Sequence, residues 1–158
     1  LNDTIAANRK AIIDKFTNPE TPKLVAELEV NARALLAAGD ALRARQACRD
    51  GLELLVPKMF DGLPELAERR ENLLRLQTVA ERLIKRRETE EAFRALNLRL
   101  SGVVVGGRLD QALINGTLLG RGDFIASAGR VTEAQVEEIR AGEVVVRFRG
   151  LLVPLKLQ

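Results

Sequence analysis

The sequence predicts an α+β chain, with a helical region over residues 1–97 followed by a small antiparallel β domain over residues 98–158. Three observations predict it. Up to about Asn97 the chain is rich in Leu, Ala, Arg and Glu, with apolar residues at helical spacing. From Leu98 the pattern changes to short apolar runs punctuated by glycine: Val103-Val104-Val105-Gly106-Gly107, Ala112-Leu113-Ile114-Asn115-Gly116, Gly142-Glu143-Val144-Val145-Val146 and Gly150-Leu151-Leu152-Val153. The composition, 46% hydrophobic but only 3% aromatic with neither Trp nor Tyr, calls for a core of Leu, Val, Ile and Ala with a few Phe.

About four helices are expected. Asn2 or Asp3 caps the first, which runs to about Phe16 with Ile5, Ile12, Ile13 and Phe16 on one face. Thr17 to Pro22 is a break, with Thr21 capping a second helix and Pro22 at its first position, where a missing N–H costs nothing. Its stripe is Leu24, Leu28, Ala32 and Leu35. Gly39 ends it, and Asp40 caps a third helix carrying Leu42, Cys48, Leu52 and Leu55, closed by Pro57. A short connection containing Gly62 leads to a long helix from Pro64 to about Asn97, with Leu66, Leu73, Leu76, Ala80, Leu83 and Ile84 as its stripe. Past Ile84 the run Lys85-Arg86-Arg87-Glu88-Thr89-Glu90-Glu91 is charged all round, and Phe93 and Leu96 restore some contact beyond it, so this half reads as an exposed connector or as a surface that packs on a partner.

Four to five strands are expected near 98–105, 111–119, 130–139, 143–149 and 151–157. Ala141-Gly142 and Arg149-Gly150 are hairpin turns. Pro154 marks the last run as an edge strand. Such strands suit a small open barrel or sandwich.

Charge and residue usage narrow the function. The net charge of +3 comes from 25 basic and 22 acidic residues, a mixed surface that does not read as a nucleic-acid binder. The scarcity of aromatics removes the stacking platforms of single-strand binders. The absence of histidine removes the commonest general base and transition-metal ligand. Cys48 alone makes neither a disulfide nor a zinc site, and its place on an apolar stripe reads as packing. No cofactor or metal is expected. No stretch reaches the about 20 apolar residues of a membrane span. The sequence begins at Leu1 rather than methionine, which leaves room for a preceding signal or membrane anchor.

Several patterns invite a site and are better explained otherwise. Gly116-x-x-x-Gly120-x-Gly122 has no following Gly-Lys-Ser/Thr and no helix, so it is no phosphate loop. Arg121-Gly122-Asp123 spells an adhesion tripeptide, but Gly and Asp there are turn chemistry. Asp110, Asp123, Glu133, Glu137, Glu138 and Glu143 read as a solvated sheet face rather than as paired catalytic carboxylates. The Lys85-Arg86-Arg87 cluster is offset by Glu88, Glu90 and Glu91. Val144-Val145-Val146 and Leu151-Leu152-Val153 carry apolar side chains on both strand faces. One face packs inward; the other meets the helices, a second copy or a partner strand. Val144, Val146, Leu151 and Val153 are therefore the candidate partner-binding residues, through edge-strand addition.

Two segments resemble known families. Between Val25 and Pro57, Ala32-x-x-Leu35-x-x-x-Gly39-Asp40-x-x-x-Ala44-x-x-x-Cys48-x-x-Gly51-Leu52 resembles one tetratricopeptide-type helical hairpin, with small residues where the helices approach. The aromatic positions of that repeat are missing. From Leu98 to Leu157 the order Ala112-Leu113-Ile114-Asn115-Gly116, Leu119-Gly120-Arg121-Gly122-Asp123, Gly129-Arg130-Val131, Ile139, Gly142 to Val146 and Leu151-Leu152-Val153-Pro154-Leu155 resembles the small β domain of type II secretion and type IV pilus inner-membrane assembly proteins. That resemblance implies a periplasmic domain on the inner-membrane side, docking onto a secretin or a neighbouring assembly component, with no chemistry of its own. A folded helical region in place of a flexible linker departs from the family.

The expected function is thus non-enzymatic protein docking in a bacterial envelope machine. The alternative is a cytoplasmic scaffold or adaptor that binds peptides or partner proteins in a helical groove. Homo-oligomerisation stays open, because the stripe over residues 66–84 suits either a second copy or the preceding helices.

Overall fold

The computed structural model describes residues 20–55 and 64–158. The first expected helix and the connection around Gly62 lie outside these residues. The described residues form three helices, α1 (Glu20–Ala37), α2 (Ala41–Leu54) and α3 (Pro64–Ala95). Seven strands follow: β1 (Leu100–Val104), β2 (Gln111–Ile114), β3 (Thr117–Gly120), β4 (Phe124–Ser127), β5 (Arg130–Arg140), β6 (Glu143–Phe148) and β7 (Leu151–Lys156). The chain divides into two compact units, Leu1–Ile84 and Lys85–Gln158. The dividing point falls inside α3, so the last turns of that helix belong with the strands.

In the first unit, α1 begins at Glu20, not after Thr21. Pro22 still lies in the first turn, where N–H groups have no intrahelical acceptor. The α1–α2 turn forms as the sequence suggests. Gly39 adopts φ 80°; its N–H donates to the Leu36 carbonyl (3.0 Å) and that of Asp40 to the Leu35 carbonyl (2.8 Å), a Schellman closure. Asp40 then caps α2 by accepting the Arg43 N–H. Small residues set the helix packing. Ala32, Ala44, Ala47 and Gly51 are buried, and a Cβ at Gly51 would lie 2.8 Å from Leu73 Cδ1 of α3 and 3.7 Å from Leu28 Cβ of α1.

The buried stripes are rotated from the expected ones. On α1 the buried line is Val25, Glu29 and Ala32, whereas Leu24 is exposed. On α2, Leu42 is exposed and the alanines face inward. Glu29, only 3% exposed, accepts from Arg33 (2.5 Å) on its own helix and from Arg69 (3.1 Å) and Asn72 (3.2 Å) of α3. Three donors offset the cost of burying the carboxylate.

In the second unit, β1-β2-β3 form one antiparallel sheet and β4-β5-β6-β7 another. The expected strand over 111–119 is two strands, because Asn115 (φ 49°) and Gly116 (φ 77°) turn the chain back. β4 was not anticipated. It pairs with β5 across Ala128-Gly129, a second turn with positive φ at both positions. The sheets are stitched together. Gly122 donates to the Val136 carbonyl (2.7 Å), Val136 donates to the Asp123 carbonyl (2.9 Å), and Gln158 donates to the Leu100 carbonyl (3.3 Å). Both sheets enclose one core that includes Leu100, Ile114, Ile125, Val136, Val144, Val146 and Phe148. A bulge between Val136 and Glu138 keeps the core face of β5 in phase, so that Val136 and Ile139 both point inward.

The C-terminal turns of α3 do not project freely. Phe93 is buried against Phe148, with ring centroids 5.7 Å apart, and Ala92 and Leu96 pack on the same core. Thr89 is also buried, its hydroxyl donating to the Lys85 carbonyl (2.8 Å). The charged run from Lys85 to Glu91 hid this face, because only every third or fourth residue need be apolar to seat a helix.

Candidate partner-binding surface

β7 is an edge strand, and its register follows from the turn before it. Arg149 (φ 49°) and Gly150 (φ 80°) form a two-residue turn closed by Phe148 opposite Leu151. Hydrogen-bonded and non-bonded pairs alternate along an antiparallel ladder. Leu151, Val153, Leu155 and Leu157 therefore direct their backbone groups toward β6, and the Leu157 N–H does reach the Gly142 carbonyl (3.1 Å). Leu152, Pro154, Lys156 and Gln158 direct theirs away, as the Gln158 bond to β1 shows. Pro154 thus places its missing N–H on the open side, where no ladder is broken. An added strand would meet the N–H of Leu152; past Pro154 the same edge closes onto β1, where Leu157 bridges to Leu100.

Beside this edge lies a groove of about 250 Å³. The last turns of α3 supply Arg86, Glu90, Phe93 and Arg94, and β7 supplies Leu151, Leu152, Val153 and Pro154. Phe93 and the inward residues of β7 form its apolar floor. Leu152 stands 55% exposed on its rim. Arg86 is engaged by Glu90 (2.9 Å), and Arg94 makes no ion pair among the described residues.

The four residues singled out from sequence divide between core and groove. Val144 and Val146 are fully buried, because the register that places Phe148 inward places every second residue before it inward too. They have no surface to offer a partner. Leu151 and Val153 are half-buried and line the groove. Leu152, Phe93 and Arg94 were missed. Phe93 had no strand partner in view, and Leu152 carried no signal to separate it from its apolar neighbours.

The remaining sequence patterns resolve into structural roles. The Asp123 carboxylate accepts the Gly120 N–H (2.8 Å), so the Gly-Asp step is a turn lock between β3 and β4. Asp110 accepts the Gly106 N–H (3.0 Å). Glu133 pairs with Arg149 (2.6 Å), Glu137 with Arg147 (2.8 Å), and Glu138 and Glu143 with Arg140 (2.6 and 3.4 Å). The Arg140 hydrogen bond holds the Glu138 carboxyl below the usual range, and Glu138 in turn holds Arg140 above its own. Glu137–Arg147 and Glu143–Arg140 join β5 to β6, Glu138–Arg140 runs along β5, and Glu133–Arg149 ties β5 to the β6–β7 turn, all at the solvated surface. Cys48 is fully buried, and desolvation pushes its thiol pKa up, away from a reactive thiolate.

Among the described residues no three His, Cys, Asp or Glu side chains gather as a metal site, and no helix is long and apolar enough to cross a membrane. Comparison with protein-family models, with curated proteins and with solved structures finds no match to this chain.

Proposed function

We propose that the chain is a non-enzymatic docking component, and that its second unit receives an extended segment of a partner protein along β7 and the adjoining groove. The observation that carries this reading is the open Leu152 backbone lying beside an apolar groove floored by Phe93. Backbone hydrogen bonds supply affinity and the groove selects one apolar side chain, as in strand addition generally. Pro154 limits the paired stretch and protects the edge from indiscriminate self-association. The order of turns and strands over residues 98–157 supports placing this docking in an envelope assembly machine of the type II secretion or type IV pilus class, on the periplasmic side of the inner membrane.

The test is a photo-crosslinking residue at position 152 in the native host, with position 109 as an exposed control on the β1–β2 loop. The expected result is an adduct with a secretin or inner-membrane component at 152 and not at 109. An adduct only with a cytoplasmic protein would replace the envelope reading with the adaptor one. Equal labelling at both positions would remove the docking site itself.

A further inference from the structure

A second surface lies in the first unit and shares no residue with β7. Leu24, Glu27, Leu28 and Asn31 of α1 face Asp50, Glu53 and Leu54 of α2 across an open groove of about 790 Å³. The α1 positions fall at i, i+3, i+4 and i+7, and the α2 positions at i, i+3 and i+4. Each set is one helix face. The groove is therefore straight over about two helical turns, a length of about 10 Å. Its floor is leucine, and Leu24 is 47% exposed there.

The rim is acidic. Glu27, Asp50 and Glu53 line the groove, and no Lys or Arg does so among the described residues. Asp50 is held only by the neutral Gln46 amide (2.7 Å), and Glu27 and Glu53 make no ion pair among the described residues. Three carboxylates thus border an apolar floor, so a ligand lying in the groove meets negative side chains along both of its edges.

We infer that the α1–α2 groove is a docking site for a basic amphipathic helix of a partner protein. Its apolar stripe lies on Leu24, Leu28 and Leu54, and flanking Lys or Arg residues face Glu27, Asp50 and Glu53. Helix-in-groove recognition supplies the affinity, and the acidic rim selects the sign of the ligand's flanks.

The test uses the full chain and two synthetic helical peptides of the same leucine pattern. One carries lysine flanks, the other glutamate flanks, and each has a single Trp. The chain has neither Trp nor Tyr, so the peptide's fluorescence reports binding directly. The lysine peptide is expected to bind at least about tenfold more tightly than the glutamate peptide, with a difference that shrinks at high salt. The double reversal Glu27→Lys, Glu53→Lys alters only exposed side chains; it should invert the preference while helical circular dichroism stays unchanged. Leu152→Asp should leave peptide binding as it was. Equal binding of both peptides, an unmoved preference in the double reversal, or loss of binding in Leu152→Asp would each overturn the proposal.

Discussion

The two units hold together by different means. In the first, helices approach through Ala32, Ala44, Ala47 and Gly51, and a carboxylate, Glu29, is buried at the centre of a hydrogen-bonded cluster. In the second, thirteen buried apolar residues fill the space between two short sheets and the end of α3, with Phe93 and Phe148 the largest of them. Small-residue contacts tolerate little added volume, whereas a core of large side chains tolerates little removed volume. Buried polar groups add direction to the first unit, since Glu29 has its three partners in one helix arrangement only. The second unit takes its direction from strand register and turns.

That contrast is open to attack by substitution, followed by residue-resolved hydrogen exchange. The largest effect is expected from Phe93→Ala, which leaves a cavity against Phe148 and should cost about 3–4 kcal/mol in the second unit. Next comes Glu29→Ala. It removes the buried acceptor of Arg69 and Asn72 and leaves Arg69, whose Nε is already buried without a partner among the described residues, with only the longer Glu65 contact (3.7 Å), and should cost about 3 kcal/mol. Protection should fall in α1 and α2 and not in β5 and β6. Gly51→Val should cost about 2 kcal/mol, because the new side chain meets Leu73, itself fully buried. If Gly51→Val is neutral, the small-residue account of the first unit fails.

Two smaller effects sharpen the comparison from the side of the turns and charges. Ala128 holds φ 50° without the tolerance of Asn for that conformation. Ala128→Asn should stabilise the second unit by about 0.5–1 kcal/mol, read as a rise in the denaturant midpoint, and converts the turn to the Asn-Gly type already used at Asn115. The pH dependence differs between the units in sign. Glu138 in the second unit has its pKa lowered by Arg140, so its contribution is present above the ordinary carboxylate pKa and is lost as pH falls through the folded value. Cys48 in the first unit has its pKa raised by burial. Its contribution is complete below the ordinary thiol pKa and is lost as pH rises toward the folded value. Acid titration should therefore reach the sheets through Glu138 and alkaline titration the helices through Cys48; Arg140→Gln and Cys48→Ala should each remove the corresponding slope.

Much of the local structure was legible. Gly39-Asp40 announced the helical hairpin because only glycine adopts the left-handed C-terminal position cheaply and aspartate caps the next helix. Pro154 announced an edge strand for the same kind of reason. Strand count was less legible. Residues 111–119 are apolar enough to read as one run, although Asn115-Gly116 is a hairpin turn, and β4 is only four residues long. Its closing turn begins with Ala128, which carries no turn signal. The candidate surface was half legible: the β7 region was in view, but three successive valines in β6 have no polar member to show which face is inward.

Sequence by itself determined where the architecture changes, which residues turn the chain, and that the interior is aliphatic. These follow from backbone preferences and side-chain spacing within a few residues. Tertiary structure alone decided that Val144 and Val146 are core and Leu152 is surface, that Glu29 rather than Leu24 lies under α1, and that the charged end of α3 carries a buried Phe93. Each of those outcomes depends on a partner distant in sequence, Phe148 for Phe93 and Arg69 and Asn72 for Glu29. Burial is a property of what packs against a residue, and no local pattern encodes it.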